Sequence, residues 1–233
     1  MMRIAIDGPS GAGKSSLAKG LAEKLGINYL DTGAFYRTVG YAAFERGISP
    51  HDREAVVRML DGIRVEAVFR DGTQMMYLDG RSLGDAIRRH EISDYASAVS
   101  AIPEVRAFLL ETQREIARRE SVVMDGRDIG TVIMPDADIK FFLVASPEER
   151  AERRRRELEA RGIEVDFETV LADIKERDRR DSERDVAPLC AAPDAVLLDN
   201  SGFTPEMSVD AAMRIIRERG LIPAATDGEE PAK

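Results

Sequence analysis

The chain has 233 residues, 43% of them hydrophobic, which is enough to bury the core of one large α/β domain or of one domain carrying smaller mobile parts. Its 43 acidic and 34 basic residues give a net charge of −9, which argues against nonspecific binding to a nucleic-acid backbone. The sequence has no run of about 18 to 20 apolar residues for a membrane span, and its start lacks the layout of a signal peptide. We expect a cytoplasmic, globular protein with neither a membrane nor a nucleic-acid partner.

The first elements predicted along the chain are a strand, a glycine-rich turn and a helix. The apolar residues 3–6 are typical of a buried strand, and they lead to Asp7. After the turn, apolar residues recur at helical spacing over residues 15–25, and the period ends at Gly26. Strand, glycine loop and helix in this order form the context in which a phosphate-binding loop is expected.

The next segments are a strand at 28–30, helices at 34–46 and 52–61, and a hairpin. The hairpin strands at 64–69 and 74–78 flank the turn signal Asp71-Gly72. A third short strand includes residues 81–83. A small antiparallel insertion is therefore predicted at about residues 62–89.

The second half of the chain repeats helices and strands. Helices are predicted at 92–101, 103–119, 147–160, 166–182 and 204–219, and strands at 121–124, 139–144 and 195–198. Strands that alternate with helices imply a parallel sheet with helices on both faces. Because ligands of such sheets lie at the carboxyl ends of the strands, one cleft is expected to be faced by Asp7, Asp31, Asp125 and Ser146.

Two features are expected to lie outside the chemistry. The single cysteine, Cys190, cannot form an internal disulfide, which fits a reducing compartment. We expect Cys190 to be a small apolar filler rather than a reactive thiol. The polar, acidic tail is expected to be disordered.

Residues 8–15 match the phosphate-loop pattern G-x-x-x-x-G-K-[ST] in full. We predict that ATP is bound by this loop and the residue after it, namely Gly8, Pro9, Ser10, Gly11, Ala12, Gly13, Lys14, Ser15 and Ser16. Loop N–H groups and the helix N-terminus attract phosphate, Lys14 is predicted to reach the β- and γ-phosphates, and the Ser15 hydroxyl to ligate Mg²⁺. The sequence contains neither a guanine-reading N-K-x-D motif nor an L-S-G-G-Q type signature, which disfavours switch GTPases and transport ATPases.

Two short clusters bear on the second substrate. Thr32 and Arg37 lie at the start of a predicted helix, where they could hold an anion or could be a plain helix cap with a surface arginine. Asp125, Arg127 and Asp128 follow a predicted strand. Asp125 is placed to help hold Mg²⁺ through water, although the same charges could form a structural ion-pair network.

The third cluster is the arginine-rich stretch at 149–184. Arg150 and Arg154 are four residues apart, and Arg177, Asp181 and Arg184 are spaced by four and three, so each set shares one helix face. Guanidinium groups suit the charged oxygens of a transferring phosphoryl group. The alternative is a solvated helix with Glu–Arg pairs, which we accept for Arg155, Arg156, Arg179 and Arg180.

Four motifs resemble those of the bacterial cytidylate kinases: IAIDGPSGAGKS, LDTGAFYR, MDGRDIGTVIMPDA and IKERDRRDSERDVAPL. The resemblance runs from Ile4 to about Leu198, and the last three motifs are far more specific than the first. It implies an α/β, P-loop three-layer fold with a five-stranded parallel sheet core, a helical lid, and an acceptor-binding domain with a small antiparallel β insertion. The expected divisions are a core at 1–32, 90–148 and 185–222, a CMP-binding domain at 33–89, a lid with flanking helices at 149–184, and a disordered tail at 223–233.

The resemblance also implies roles for single residues. The residues that would bind CMP are Thr32, Arg37, Ser97, Arg106, Arg127, Asp128, Arg177, Asp181 and Arg184. The catalytic charges would be those of Lys14, Arg127, Arg154 and Arg177. Arg150 and Arg154 would belong to the lid over ATP. A carboxylate at Asp128 suits the N4 amine of cytosine, whereas uracil would oppose it with an acceptor.

The predicted reaction is direct in-line transfer from MgATP to the 5′-phosphate of CMP or dCMP by a monomer, as a step of pyrimidine nucleotide metabolism. Two alternatives stay open at this point. One is another small-molecule P-loop kinase, acting on UMP, a sugar or a shikimate-like acid. The other is an NTP-dependent switch or assembly protein, which would be indifferent to nucleoside monophosphates.

Overall fold

A computed structural model of the chain describes residues 1–70, 72–160 and 162–223, apart from the side chain of His90. The strands are β1 (Arg3–Asp7), β2 (Asn28–Asp31), β3 (Val65–Arg70), β4 (Thr73–Leu78), β5 (Arg81–Ser82), β6 (Val122–Gly126), β7 (Ile139–Val144) and β8 (Val196–Asp199). The α-helices are α1 (Lys14–Leu25), α2 (Thr32–Glu45), α3 (Arg53–Leu60), α4 (His90–Val99), α5 (Pro103–Arg119), α6 (Pro147–Glu159), α7 (Phe167–Glu183) and α8 (Pro205–Glu218). A 3₁₀ helix at Gly84–Arg88 and a π-helical turn at Ile129–Ile133 complete the described elements.

The main sheet of the described residues has five parallel strands in the order β2-β6-β1-β7-β8. In this register Asp31 of β2 lies beside Asp125 of β6, and Asp7 of β1 lies beside Gly126. The carboxyl ends of three adjacent strands therefore bring three acidic residues to one edge of the sheet, as the sequence predicted.

Apolar layers cover both faces of this sheet. Successive side chains of a strand point to opposite faces, so Ile4 and Ile6 of β1 pack on one side and Ala5 on the other. The first side is covered by α1 and α8. The second is covered by α2, α3, α5 and the small sheet, whose Met76 and Leu78 reach the same core. This arrangement confirms the predicted three-layer α/β fold.

The three-stranded antiparallel sheet has the order β3-β4-β5 and confirms the predicted insertion. Its Gln74 side chain brackets the backbone of Asp31: the amide oxygen accepts the Asp31 N–H at 2.7 Å, and the amide nitrogen donates to the Asp31 carbonyl at 3.2 Å. Because β2 is an edge strand, this bracket satisfies backbone groups that have no neighbouring strand.

The prediction for Cys190 is wrong, because its side chain is exposed. It lies in the irregular segment between α7 and β8, and such segments run over the surface where water can satisfy their backbone groups. The 3₁₀ helix and the π-helical turn were not predicted. Of the predicted tail, all but Pro223 lies outside the described residues. None of the helices in the described ranges is both long and apolar enough to cross a bilayer.

Candidate active site

The loop at residues 8–13, between β1 and α1, is called the donor loop below, and it needs glycine at two positions. A Cβ on Gly8 would lie 2.5 Å from the carbonyl oxygen of Leu143, so the backbone can pass β7 only without a side chain. Gly13, the N-cap of α1, has φ 89°, a left-handed conformation that glycine adopts without strain. These constraints aim the N-terminus of α1 across the carboxyl edge of the sheet, where it favours an anion. Ser15 and Ser16 are exposed on its first turn.

Lys14 is buried at this helix start, and its Nζ donates to the Pro9 carbonyl at 2.7 Å. Burial holds the pKa of Lys14 well below its usual value, and the positive charges of Arg127 and Arg177 lower it further, against the opposing charge of Asp125. Three cations thus converge on one region beside the donor loop. Such a region stabilises a polyanion, because every phosphate charge placed there relieves repulsion among the cations.

A hydroxyl and a carboxylate meet at the end of β6. The Ser15 hydroxyl donates to Asp125 Oδ2 at 2.8 Å, and the Tyr29 hydroxyl donates to Oδ1 at 3.0 Å. Burial, together with the charge of Asp31, raises the pKa of Asp125 to about 6. Tyr29 was missed from the sequence, although it is two residues before Asp31 and therefore on the same face of β2.

These oxygen atoms fit a magnesium ion that arrives with a nucleotide. Mg²⁺ prefers oxygen ligands and is commonly bound by one or two carboxylates together with substrate phosphates. The described ranges contain no group of three or more His, Cys, Asp or Glu side chains that could hold a metal by themselves. Ser15 and Asp125 are therefore the residues here that could hold such an ion, and the metal site stays a prediction.

The start of α2 carries the first of two charged clusters. Asp31 caps the helix by accepting the Ala34 N–H at 3.2 Å, and its other oxygen forms an ion pair with Arg37. Arg37 Nε is buried and has no hydrogen-bond partner among the described residues. The Thr32 hydroxyl is buried and donates to the Asp125 carbonyl at 2.7 Å, so it ties α2 to β6.

The second charged cluster consists of Asp128, Arg106 and Arg184 and is called the Asp128 cluster below. Its carboxylate forms an ion pair with Arg106 and lies 3.6 Å from Arg184 Nη2, and all three side chains are less than 10% exposed. Arg184 Nη2 has no hydrogen-bond partner in the described part of the chain. The Arg106 guanidinium also lies 5.4 Å from the centre of the Tyr36 ring and donates to the Ser100 carbonyl at 3.2 Å.

Ser97 lies half-buried on α4, one turn before Ser100, whose hydroxyl donates to the Ser97 carbonyl at 2.8 Å. Ser97 is therefore joined to Arg106 through Ser100, whose carbonyl accepts from Arg106 Nη1. The sequence grouped Ser97, Arg106 and Asp128 from separate segments, and the fold brings Arg106 and Asp128 into direct contact.

Helix α7 brings two more predicted residues to Arg127. Asp181 accepts from Arg127 Nε at 2.7 Å. Burial alone would raise the pKa of Asp181, but the charges of Arg127 and Arg177 outweigh it and hold the pKa below its usual value. Arg177 is half-buried and makes no hydrogen bond or salt bridge to any described residue. Burial and the charge of Arg127 lower its pKa to about 10, against the opposing charge of Asp181.

The two predicted lid arginines differ. Arg150 is buried and fully used: Nη1 donates to the Ser10 carbonyl at 2.9 Å, Nε donates to the Ala145 carbonyl at 3.0 Å, and Asp178 accepts from both terminal nitrogens. It therefore ties α6 and α7 to the donor loop through the backbone. Arg154 is partly exposed and pairs with Glu157 at 3.2 Å.

The interpretation of the other lid arginines as members of Glu–Arg pairs is confirmed for Arg155, Arg156, Arg179 and Arg180. Arg153 was given no role from the sequence. Its Nη2 donates to the Asn200 carbonyl at 3.0 Å, and the Asn200 amide donates to the Ala12 carbonyl at 2.7 Å. Asn200 thus contacts the backbone of the donor loop directly, and Arg153 contacts it through Asn200. No local sequence pattern predicts these two contacts.

Similarity to known proteins agrees with this geometry. The family described as cytidylate kinase matches residues 4–218. The cytidylate kinase of Fervidobacterium nodosum is 48% identical over 217 residues, 93% of this chain and 97% of that protein. The cytidylate kinase of Mycolicibacterium paratuberculosis is 46% identical over 220 residues, 94% of this chain and 96% of that protein. An uncharacterized protein from Eubacterium ventriosum shares the fold, with a TM-score of 0.52 at 16% identity over 93% of this chain and 99% of that one. The chain belongs to the cytidylate kinase family.

Proposed function

We propose that this protein transfers the γ-phosphoryl group of ATP to CMP and dCMP, which yields ADP with CDP or dCDP. The observation that carries the proposal is the convergence of Lys14, Arg127 and Arg177 between a phosphate loop and the buried Asp128 cluster. Membership of the cytidylate kinase family supports the choice of acceptor.

The transfer needs charge and positioning more than a base. An oxygen of the CMP phosphate is already anionic, so it attacks the γ-phosphorus directly while the bond from that phosphorus to the β,γ-bridging oxygen breaks and ADP leaves. Lys14 and the loop N–H groups hold the β- and γ-phosphates. Arg127 and Arg177 screen the charge of the transferring group from the other side.

Ser15 would hold the Mg²⁺ that accompanies ATP directly and Asp125 would hold it through water, and the ion would supply positive charge against the phosphates. Tyr29 fixes the second Asp125 oxygen, so the carboxylate keeps one orientation. The chain's own contribution is thus an oxygen pair that is aligned before the nucleotide arrives.

The acceptor is recognised by two clusters. Arg37, held by Asp31, binds the CMP phosphate, with Thr32 fixing the start of that helix. Asp128 accepts from the cytosine amine while Arg106 and Ser97 donate to the other positions of the base edge. Asp181 and Arg184 bind the sugar. Uracil places a carbonyl against the Asp128 carboxylate and is therefore disfavoured.

We further propose that residues 33–89 act as a CMP-binding domain and residues 149–184 as a lid. Arg150 anchors the lid to the donor loop, and Arg154, whose partly exposed side chain pairs with Glu157, leaves that pair to approach ATP. Closure excludes water, which would otherwise accept the phosphoryl group. The enzyme works in the cytoplasm, and its reaction is a step of pyrimidine nucleotide metabolism. It works as a monomer, because a moving lid and a moving acceptor-binding domain leave little surface for a permanent partner.

The test is a coupled ADP-release assay with CMP, dCMP, UMP and AMP at equal concentration, with an acceptor-free reaction as the control for ATP hydrolysis. CMP and dCMP are expected to give rates at least about tenfold above UMP and AMP, because a mispaired buried carboxylate costs on the order of 1 to 3 kcal/mol. ADP release that is indifferent to all four monophosphates would favour the NTP-dependent switch instead.

A further inference from the structure

Asp7 is a buried carboxylate between the two loops of the site. It is the last residue of β1, and the donor loop starts at the next residue, Gly8. Its Oδ1 accepts the backbone N–H of Ile129, and its Oδ2 accepts that of Gly130, each at 2.8 Å. One side chain therefore joins the start of the donor loop to the segment that carries Arg127 and Asp128.

Within that segment, the backbone N–H groups of Ile129 and Gly130 have no backbone hydrogen-bond acceptor in the described ranges. Asp128 adopts φ −144° and ψ 26°, which belongs to neither a helix nor a regular strand, and the π-helical turn starts at the next residue. The first N–H groups of a helical turn have no acceptor within it. Ile129 and Gly130 are both buried, so water is not their partner, and the Asp7 carboxylate supplies both missing acceptors.

The charge of Asp7 suits this task. Burial raises its pKa to about 6, the two N–H bonds oppose that rise, and the charges of Asp128 and Lys14 act in opposite directions. At neutral pH the group is therefore mostly a carboxylate, whose two oxygens accept and never donate. Its neighbours include the lysine proposed to bind the donor and the aspartate proposed to bind the acceptor.

We propose that Asp7 is a positioning residue for this reaction: through Ile129 and Gly130 it fixes the backbone of Arg127 and Asp128 relative to the donor loop. Asp7 touches neither substrate. The inference rests on the proposed role of Asp128 in binding CMP. Its consequence is that acceptor affinity and base selectivity depend on a residue that belongs to the donor strand.

The primary test is Asp7→Asn in the full chain. An amide keeps the size of the side chain but has one acceptor oxygen, and its NH₂ group would face an N–H donor. We expect kcat/KM for CMP to fall about 10- to 100-fold with a raised KM, as expected for a shift of about 1 Å at the site, while the KM for ATP changes less than about twofold. The CMP-to-UMP rate ratio should fall as well.

The matched control is Asp138→Asn. Asp138 accepts a backbone N–H at the opposite end of the same strand, from Arg3 at 2.7 Å, and it is far from both loops along β1. This variant should keep the wild-type KM values and the wild-type CMP-to-UMP ratio. A loss of CMP affinity in Asp138→Asn equal to that in Asp7→Asn would overturn the proposal, because both losses would then reflect general weakening of β1.

A double-mutant cycle separates positioning from a merely structural role. If Asp7 acts through Asp128, then adding Asp7→Asn to Asp128→Asn should change the CMP-to-UMP ratio by less than about twofold. Additive effects on that ratio would overturn the proposal. So would an Asp7→Asn enzyme whose kcat falls equally for CMP and UMP at unchanged KM, since that pattern means only fewer active molecules.

Gly130→Ala is the second variant if Asp7→Asn does not fold. A Cβ at this position would lie 3.1 Å from Lys140 Cδ and 3.4 Å from Asp7 Oδ2, so it crowds the Lys140 side chain beside the Asp7 contact without changing a charge. It should raise the KM for CMP in the same direction by a smaller factor, and an unchanged KM would overturn the proposal. If the wild-type enzyme does not phosphorylate CMP, the proposed function itself is wrong, and that outcome is distinct from the failure of the Asp7 proposal.

Discussion

Arg150 and Arg177 are arginines on packed helices, and the structure gives them opposite environments. Every nitrogen of the Arg150 guanidinium donates to a carbonyl or to Asp178, whereas Arg177 makes no hydrogen bond or salt bridge to the residues that the structure describes. Two arginines that look equivalent in the sequence therefore differ in how many of their hydrogen bonds the protein itself satisfies. Arg150 ties α6 to the donor loop, whereas the proposed function gives the Arg177 guanidinium to a phosphate.

This contrast predicts opposite effects of two alanine substitutions. Arg150→Ala breaks a buried pair, which costs about 3 to 5 kcal/mol, so Tm should fall by roughly 6 to 20 °C for a chain of this size. Arg177→Ala removes an unpaired cation and should leave Tm unchanged or higher, while kcat falls at least about 100-fold. Calorimetry and steady-state kinetics on both variants check this. Equal losses of Tm would contradict the assignment.

The buried carboxylates give stability a specific dependence on pH. Asp125 has a folded pKa of about 6 against an ordinary value of 3.8, so the folded state binds its proton more tightly than the unfolded state. Its stabilising contribution is complete below about pH 4 and is lost as pH rises through about 6. The Tm of nucleotide-free Asp125→Asn, measured relative to wild type, should therefore rise by several degrees from pH 4 to 7.

At the scale of elements, sequence periodicity predicted the secondary structure well and long-range contacts poorly. Hydrophobic spacing and the glycine loop placed each main strand and helix, and alternation implied the parallel sheet. The bracket of Gln74 on Asp31 joins residues 43 apart, and that of Asp7 on Gly130 joins residues 123 apart. No local pattern encodes such pairs. The resemblance supplied the acceptor residues, but it did not show that Thr32 and Arg150 are occupied by backbone carbonyls.

The Gln74 bracket gives a prediction for the small sheet. Gln74→Ala leaves the Asp31 N–H and carbonyl at the sheet edge without the bracket, so the Asp31–Arg37 pair loses its support. We expect the KM for CMP to rise about three- to tenfold with little change in the KM for ATP. Thr73→Ala, an exposed site on the same strand, is the control and should behave as wild type. Unchanged CMP kinetics in Gln74→Ala would show that the small sheet does not act on the acceptor site.

At the scale of the whole molecule, an acidic protein with a net charge of −9 brings the positive charges of Lys14, Arg127 and Arg177 together in one region beside the donor loop. In the proposed function, this region is approached by the donor loop from β1 and α1, by the CMP-binding residues from α2, α5 and the segment after β6, and by the lid from α6 and α7. Binding therefore depends on parts drawn from most of the chain, and a ligand should stabilise the entire fold.

Ligand-induced stabilisation can be measured directly. At a concentration of 100 times Kd, CMP should stabilise the fold by about 2.7 kcal/mol, which raises Tm by roughly 5 to 11 °C. Asp128→Asn should lose most of this increase while keeping the increase caused by ATP with Mg²⁺. Thermal unfolding with each ligand alone provides the measurement. An equal loss of both increases would mean that Asp128 supports the fold rather than the acceptor.

The strand order of the main sheet has a consequence for synthesis on the ribosome. β1 is the central strand, and its first pairing joins Arg3 to Val122, a separation of 122 − 3 = 119 residues. At 5 to 20 residues per second, that partner emerges roughly 6 to 24 s after β1. Until then neither β6 nor β7 is available, so both edges of the apolar strand β1 lack a hydrogen-bonded neighbour. During that period the nascent chain exposes an apolar strand with unpaired edges, which is the kind of segment from which aggregation starts.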